Sequence, residues 1–346
     1  MKGLFDPGGK QGLTGLSAVV TGGSRGLGLR IADRLLARGC AVTIAARDAG
    51  ELERARGLLL RDHPGAAVRT VRCDVTDRGQ VAALMRQAAD AHGGVDVVVA
   101  NAGIIQVAPL DSLGTQDFAA ATDTIFMGSV HTALEALPWL RRSPAGGRLA
   151  LIGSVGGLVA APHLLPYSCA KSAVSALAEG LHAELAGSSV SVTAVHPGLM
   201  RTGSHLAAEF GGQAEREFGW FSAVAGSPLV SMDAGRAAGR VVSALERRRT
   251  RIVLTPAAKA ADLGHGLAPA LTVRLTSLAA RALPAAPPDG EPASPVPGRQ
   301  VEAAADRALP PVLRRLRAWG SALNDRASAR LNQRRNPPHG AAGNPA

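Results

Sequence analysis

Tyrosine is all but missing from this chain of 346 residues: there is one, Tyr167, and aromatic residues together make up 3%. A core must then be aliphatic, drawn from the alanine, valine and leucine that dominate a 46% apolar share. Lysine is nearly as scarce, so the basic residues are almost all arginine. The three cysteines, Cys40, Cys73 and Cys169, have neither the spacing of a metal site nor the pairing of a disulfide framework. That excludes a disulfide-stapled fold and fits a reducing, cytoplasmic setting, with Cys169 read as a small buried hydrophobe. No uninterrupted apolar run reads as a membrane span. Residues 149–170 lack Asp, Glu, Lys and Arg, but glycines, prolines, serines and His163 break them. A strand followed by a loop explains the stretch better, with His163 at a pocket mouth and no partners for a metal. The first residues show no apolar signal core, and no solenoid repeat is visible.

The chain is instead rich in glycine, and one cluster is placed to matter. A short apolar run at 17–21 leads into Thr21-Gly-Gly-Ser-Arg-Gly-Leu-Gly28, and an amphipathic pattern follows over 27–38 until Gly39. A strand, a glycine-rich turn and a helix open a dinucleotide-binding unit. Gly22 suits the tight turn, Gly26 close approach to a pyrophosphate, and Gly28 close packing of helix on sheet. The helix N-terminus offers free N–H groups and a positive dipole end. Ser24, Arg25 and Leu27 belong to the same phosphate-facing turn.

A second strand at 41–46 ends in Ala46, where NAD-binding folds usually carry a carboxylate for the ribose. Arg47 follows, and Arg25 stands in the turn; two guanidiniums suit the 2′-phosphate of NADP. Asp48-Ala-Gly-Glu51 reads as a capping box for the next helix. The expected coenzyme is therefore NADP(H).

Tyr167 stands four residues before Lys171 in a helical stretch at 168–185, so phenol and ammonium share one face. A cation beside the phenol is expected to lower its pKa from about 10. The plain alternative is a packed ring and a solvated lysine.

Taken in order, these motifs resemble the short-chain dehydrogenase/reductase family, of the NADP-preferring type, from about residue 13 to about 256. Thr21-Gly-x-x-x-Gly26-x-Gly28 matches the coenzyme turn. Asp74, followed by Val75, ends a third strand where the family's aspartate contacts the adenine. Asn101-Ala102-Gly103 follows the strand at 95–100 and matches the segment bracing the sheet beside the coenzyme. Ser154 lies thirteen residues before Tyr167, the family's catalytic spacing. Pro197-Gly198 and Thr202 match the segment along the nicotinamide. The resemblance implies a doubly wound parallel α/β sheet of about seven strands with helices on both faces. Strands are expected near 17–21, 41–46, 68–73, 95–100, 148–153, 190–196 and 251–254.

It also implies catalysis by Ser154, Tyr167 and Lys171: the tyrosine as general acid or base, the lysine tuning it, the serine donating to the substrate oxygen. One position departs. The family's asparagine three residues before a glycine in the fourth helix is Ile125 here, ahead of Gly128. Two readings follow: an NADP(H)-dependent oxidoreductase interconverting a carbonyl and an alcohol, or a weakly active or inactive nucleotide-binding scaffold. By analogy with relatives, a homo-oligomer is expected.

Residues 197–233 correspond to a substrate lid and hold Phe210, Phe218, Trp220 and Phe221. These either line a lipophilic pocket, with Leu164 and Leu165 adding to it, or pack the lid onto the body. The expected boundaries are a Rossmann domain at 1–256, an apolar helical segment at 257–283, a proline-rich linker at 284–298, an arginine-rich helical segment at 299–335 and a disordered tail at 336–346. The arginine-rich part and tail carry nine arginines against three acidic residues, within a chain of formal charge +11. Peripheral membrane contact and a solvated helix are both open readings of it. Nucleic acid is not expected.

Overall fold

The computed structural model describes residues 12–227, 230–287, 295–308, 323–324 and 326–333. Seven short strands, β1 (Ser17–Thr21), β2 (Ala41–Ala46), β3 (Val68–Arg72), β4 (Val97–Ala100), β5 (Arg148–Ile152), β6 (Ser191–His196) and β7 (Arg251–Val253), form one sheet. They are parallel throughout, in the order β7-β6-β5-β4-β1-β2-β3. Every strand anticipated from the sequence is present within a residue or two. β1, β4 and β5 are buried along their whole length, as a parallel sheet covered on both faces requires.

Helices alternate with the strands and cover the two faces. One face carries α1 (Gly26–Leu36), α2 (Ala49–Asp62) and α8 (Ala234–Glu246); the other carries α3 (Arg78–His92), α5 (Gly128–Arg142) and α6 (Leu165–Glu184). Each buries an aliphatic stripe: Ile31 and Leu35 on α1, Leu84 and Met85 on α3, Val174 and Ala178 on α6. Truncating one of the large members to alanine would cost about 2–5 kcal/mol. Asp48 and Asp77 cap α2 and α3, accepting from the Glu51 amide and from the Gly79 and Gln80 amides. α1 has no side-chain cap and starts at the carboxyl end of the sheet. α4 (Thr115–Ala121) runs into a π-helical stretch, Thr122–Met127, before α5.

The lid is a layer of its own. Gln106–Val107, Glu209–Phe210 and Val296–Pro297 form a small three-stranded sheet beside α7 (Ala214–Gly226) and α11 (Gly298–Ala308). Phe210, Phe218 and Phe221 are buried between them with Val107, Leu206 and Val301. The rings meet edge to face, Phe210 to Phe218 at 5.3 Å and Phe210 to Phe221 at 5.9 Å. Phe210, Phe218 and Phe221 thus pack the lid onto α11 through Val301, the second of the two roles open to them in the sequence.

The C-terminal extension is built into this layer. Residues 295–298 of the expected linker pair with the lid, and the Gly298 amide donates to the Ala208 carbonyl. Residues 288–294, 309–322, 325 and 334–346 lie outside the described part, so the expected disordered tail and much of the arginine-rich segment fall there. The segment at 257–283 forms α9 (Pro256–Leu267) and α10 (Pro269–Ala280), which expose Leu263, Leu267, Leu271, Val273, Leu275 and Leu278. Among the described residues no helix is long and apolar enough to cross a membrane.

Candidate active site

The site forms where the carboxyl ends of β1, β4, β5 and β6 meet the N-termini of α1 and α6. Thr21 ends β1, and its hydroxyl accepts from the Asn101 amide at 3.0 Å. Asn101 follows β4 and returns two bonds through Nδ2, to the carbonyls of Thr21 at 3.0 Å and Gly22 at 3.1 Å. This brace fixes the glycine turn beside Ala102 and Gly103. Gly22 has φ +63, and a Cβ there would lie 2.9 Å from Ala102 Cα, so no side chain fits. A Cβ on Gly28 would collide with the Gly22 carbonyl, so α1 can start only where glycine permits.

β5 ends at Ile152, and Ser154 follows. The Gly153 amide donates to the Val195 carbonyl and the Val155 amide to the Pro197 carbonyl, both at 2.8 Å, which ties this loop to the end of β6. Gly157 packs against the backbone of Lys171 so closely that a Cβ would overlap it. The serine loop is thereby pressed onto α6, and Ser154 Oγ and the Tyr167 ring flank Gly156, each 3.5 Å from where its Cβ would stand. The Gly156 amide donates to Ser154 Oγ at 3.0 Å. One turn along α6, the Lys171 ammonium lies 5.9 Å from the centre of the Tyr167 ring and donates to the Ile152 carbonyl at 2.6 Å. Ser154, Tyr167 and Lys171 are brought together.

The electrostatics differ from expectation in one respect. Burial raises the Tyr167 pKa above its ordinary 10, and only the Ser154 hydrogen bond acts against it. The lysine does not lower it here, because the ammonium points at Ile152. Lys171 is 6% exposed and is itself pushed down to about 8 by desolvation.

Ile125 is fully buried in the π-helical stretch, facing Gly103 and close to Lys171. The Ile125 carbonyl accepts from Ser129 Oγ at 2.7 Å. Gly198 is locked under α9, where a Cβ would strike Thr255, and Thr202 is buried opposite Gly26. Asp74 accepts from the amide and hydroxyl of Thr76 at 3.0 and 2.9 Å, and Val75 is buried beneath it. Cys169 is exposed, not buried as its residue type suggests, because its position on α6 faces away from the sheet.

Three features were not read from the sequence. Glu51 does not turn back to cap α2. Its carboxylate takes Arg25 at 3.2 Å and the Ser24 hydroxyl at 3.1 Å, so the turn's arginine is paired while Arg47 is exposed. His163, at φ +62, contacts the fully buried Glu217 at 2.9 Å, and Trp220 Nε1 donates to the same carboxylate at 2.6 Å. Third, the C-terminal segment returns to the glycine turn: the Gly26 amide donates to the Leu331 carbonyl at 3.1 Å. The Gly26 N–H therefore donates to an oxygen, as it would to a pyrophosphate.

Residues 17–209 match the family described as short chain dehydrogenase. The chain belongs to that family. Among curated relatives, Oxidoreductase BOA17 of Botryotinia fuckeliana is 34% identical over 183 residues, covering 53% of this chain and 65% of that protein. An uncharacterized oxidoreductase, SA2266, of Staphylococcus aureus is 33% identical over 190 residues, covering 55% of this chain and 80% of the relative. A solved short chain dehydrogenase/reductase from Burkholderia phymatum, in complex with NAD, superposes with a TM-score of 0.64 at 27% identity, over 74% of this chain and 95% of that one. This short-chain dehydrogenase thus has a family core and a C-terminal extension beyond it, and an NAD(P)(H)-linked oxidoreductase function follows from the kinship.

Proposed function

We propose that the chain is an NADP(H)-dependent oxidoreductase that interconverts a carbonyl and an alcohol on a lipophilic small molecule. The convergence of Ser154, Tyr167 and the buried Lys171 ammonium around Gly156 and Gly157 carries this reading. When bound, the nicotinamide supplies or takes the hydride at the substrate carbon. Gly22, Ser24, Arg25, Gly26, Leu27 and Gly28 would hold the phosphates, with Arg47 and Asp74 toward the adenosine. Val75, Asn101, Ala102, Gly103, Pro197, Gly198 and Thr202 would line the rest of the coenzyme.

The protein must move one proton and stabilise charge on one oxygen. A raised pKa keeps the Tyr167 phenol protonated near neutral pH, which suits it to donate to a forming alkoxide. Ser154 donates to the same oxygen as charge builds. Below pH about 8 Lys171 is an ammonium, and its bond to the Ile152 carbonyl holds the serine loop against α6. For alcohol oxidation the roles reverse, and Tyr167 must first lose its proton.

Support for a lipophilic substrate is a cavity of about 350 Å³ lined by Ala108, Leu110, Leu113, Pro162, His163 and Leu165. Thr276 and Ser277 of α10 complete its wall, and Leu165 in that wall precedes Tyr167 by two residues in the chain. The choice of NADP(H) rests on Arg25 and Arg47. Glu51 favours a second reading, NAD(H), since a carboxylate on Arg25 opposes a 2′-phosphate and suits a ribose hydroxyl. Titration with NADPH and NADH decides between them: tighter NADPH supports the first, equal or tighter NADH the second. Coenzyme oxidation across lipophilic ketones and aldehydes tests the reaction, and binding of coenzyme with no turnover on any of them would favour a scaffold.

A further inference from the structure

The C-terminal segment, residues 323–324 and 326–333, lies along the groove between the glycine turn and the segment after β6. At one end the Gly203 amide donates to Asn324 Oδ1 at 2.9 Å, and Asn324 Nδ2 meets His205 Nδ1 at 3.0 Å. Ser328 is fully buried and packs directly on Gly203, whose φ of +71 and lack of a side chain make room for it. In the middle, the Leu331 carbonyl takes the Gly26 amide at the uncapped N-terminus of α1. At the other end Asn332 Nδ2 donates to the carbonyls of Ser24 and Glu51, both at 2.9 Å, and Arg54 Nε donates to Asn332 Oδ1 at 3.3 Å. Asn324, Leu331 and Asn332 are 2%, 3% and 8% exposed.

The path runs from beside Thr202, past the pyrophosphate-binding amide, to the adenosine end at Glu51. A backbone carbonyl stands where a phosphate oxygen would be held, and two asparagines make the flanking polar bonds. A dinucleotide and this segment need the same amide and the same groove. We propose that the C-terminal segment is an intramolecular plug of the coenzyme cleft, and that coenzyme binds only as the segment leaves. This rests on the dinucleotide-binding reading above.

Seated and released forms are two states, and coenzyme affinity falls by the fraction released. Arg326 and Arg330 are exposed, and the contacts of the described residues with the groove are hydrogen bonds and burial. Removing the Asn332 side chain deletes three of those bonds without touching a group assigned to catalysis.

The test uses the full chain, with NADPH and NADH as probes and two readouts. In titrations, Asn332→Ala and the pair Asn324→Ala, Asn332→Ala should bind coenzyme roughly tenfold tighter than the parent. In hydrogen exchange on the parent, saturating coenzyme should speed exchange at 326–333 while protecting the amides of the glycine turn. Unchanged or weaker binding by the variants overturns the plug. So does protection of 326–333 by coenzyme, which would make the segment a clamp over bound ligand. If neither parent nor variants bind either dinucleotide, the coenzyme reading itself fails, and the plug with it.

Discussion

Lys171 reaches from α6 to the last residue of β5, donating through Nζ to the Ile152 carbonyl at 2.6 Å. The bond holds the ammonium two residues from Ser154 and one helical turn from Tyr167, so a single lysine fixes strand, serine loop and helix together. With its pKa lowered to about 8, the proton is retained below that value and lost above it. Carbonyl reduction should therefore decline as pH rises past about 8. Lys171→Met should lower kcat/KM by roughly a hundredfold or more and abolish that alkaline decline. Rate profiles between pH 6 and 10 check both.

Arg25 is engaged by Glu51 across a partly exposed pair. Glu51→Gln releases the guanidinium and should shift preference toward NADPH over NADH by about fivefold at most, the range of such pairs. Paired coenzyme titrations measure it.

His196 ends β6 fully buried, and burial pushes its pKa from 6.5 down to about 4, with Arg251 adding to the effect. The unfolded chain takes up this proton as pH falls through 6.5, the folded chain only near 4. The stabilising difference is complete above 6.5 and disappears toward pH 4, by roughly 3 kcal/mol. Denaturant unfolding at several pH values should show a shallower acid loss in His196→Leu than in the parent.

Gly28 sits against the Gly22 carbonyl with no room for a methyl group. Gly28→Ala should push α1 off the turn, cost about 1–3 kcal/mol and weaken coenzyme binding. Thermal unfolding and titration of one preparation would show both effects.

The sheet was legible because its strands are short aliphatic runs ending in turn residues, and periodicity is a local property. The glycine turn and the Ser154, Tyr167, Lys171 spacing were legible for the same reason: each is fixed within a few residues or by a family pattern. What escaped depends on distant partners. Glu51 has the sequence of a cap, yet Arg25, 26 residues earlier, takes its carboxylate. The lid aromatics could line a pocket or pack the lid, and only the position of α11 shows the three phenylalanines packed. Asn332 meets Ser24 across 308 residues, and nothing near either one announces it. The asparagines and Ser328 of the extension, which no local pattern marks out, bind the core while Arg326 and Arg330 stay exposed.

The central claim is that Tyr167 passes the proton. Tyr167→Phe removes one hydroxyl and leaves the ring in place, so NADPH or NADH should bind within about twofold of the parent while turnover on an active carbonyl substrate falls roughly a thousandfold. Turnover within tenfold of the parent, with coenzyme bound, would contradict it.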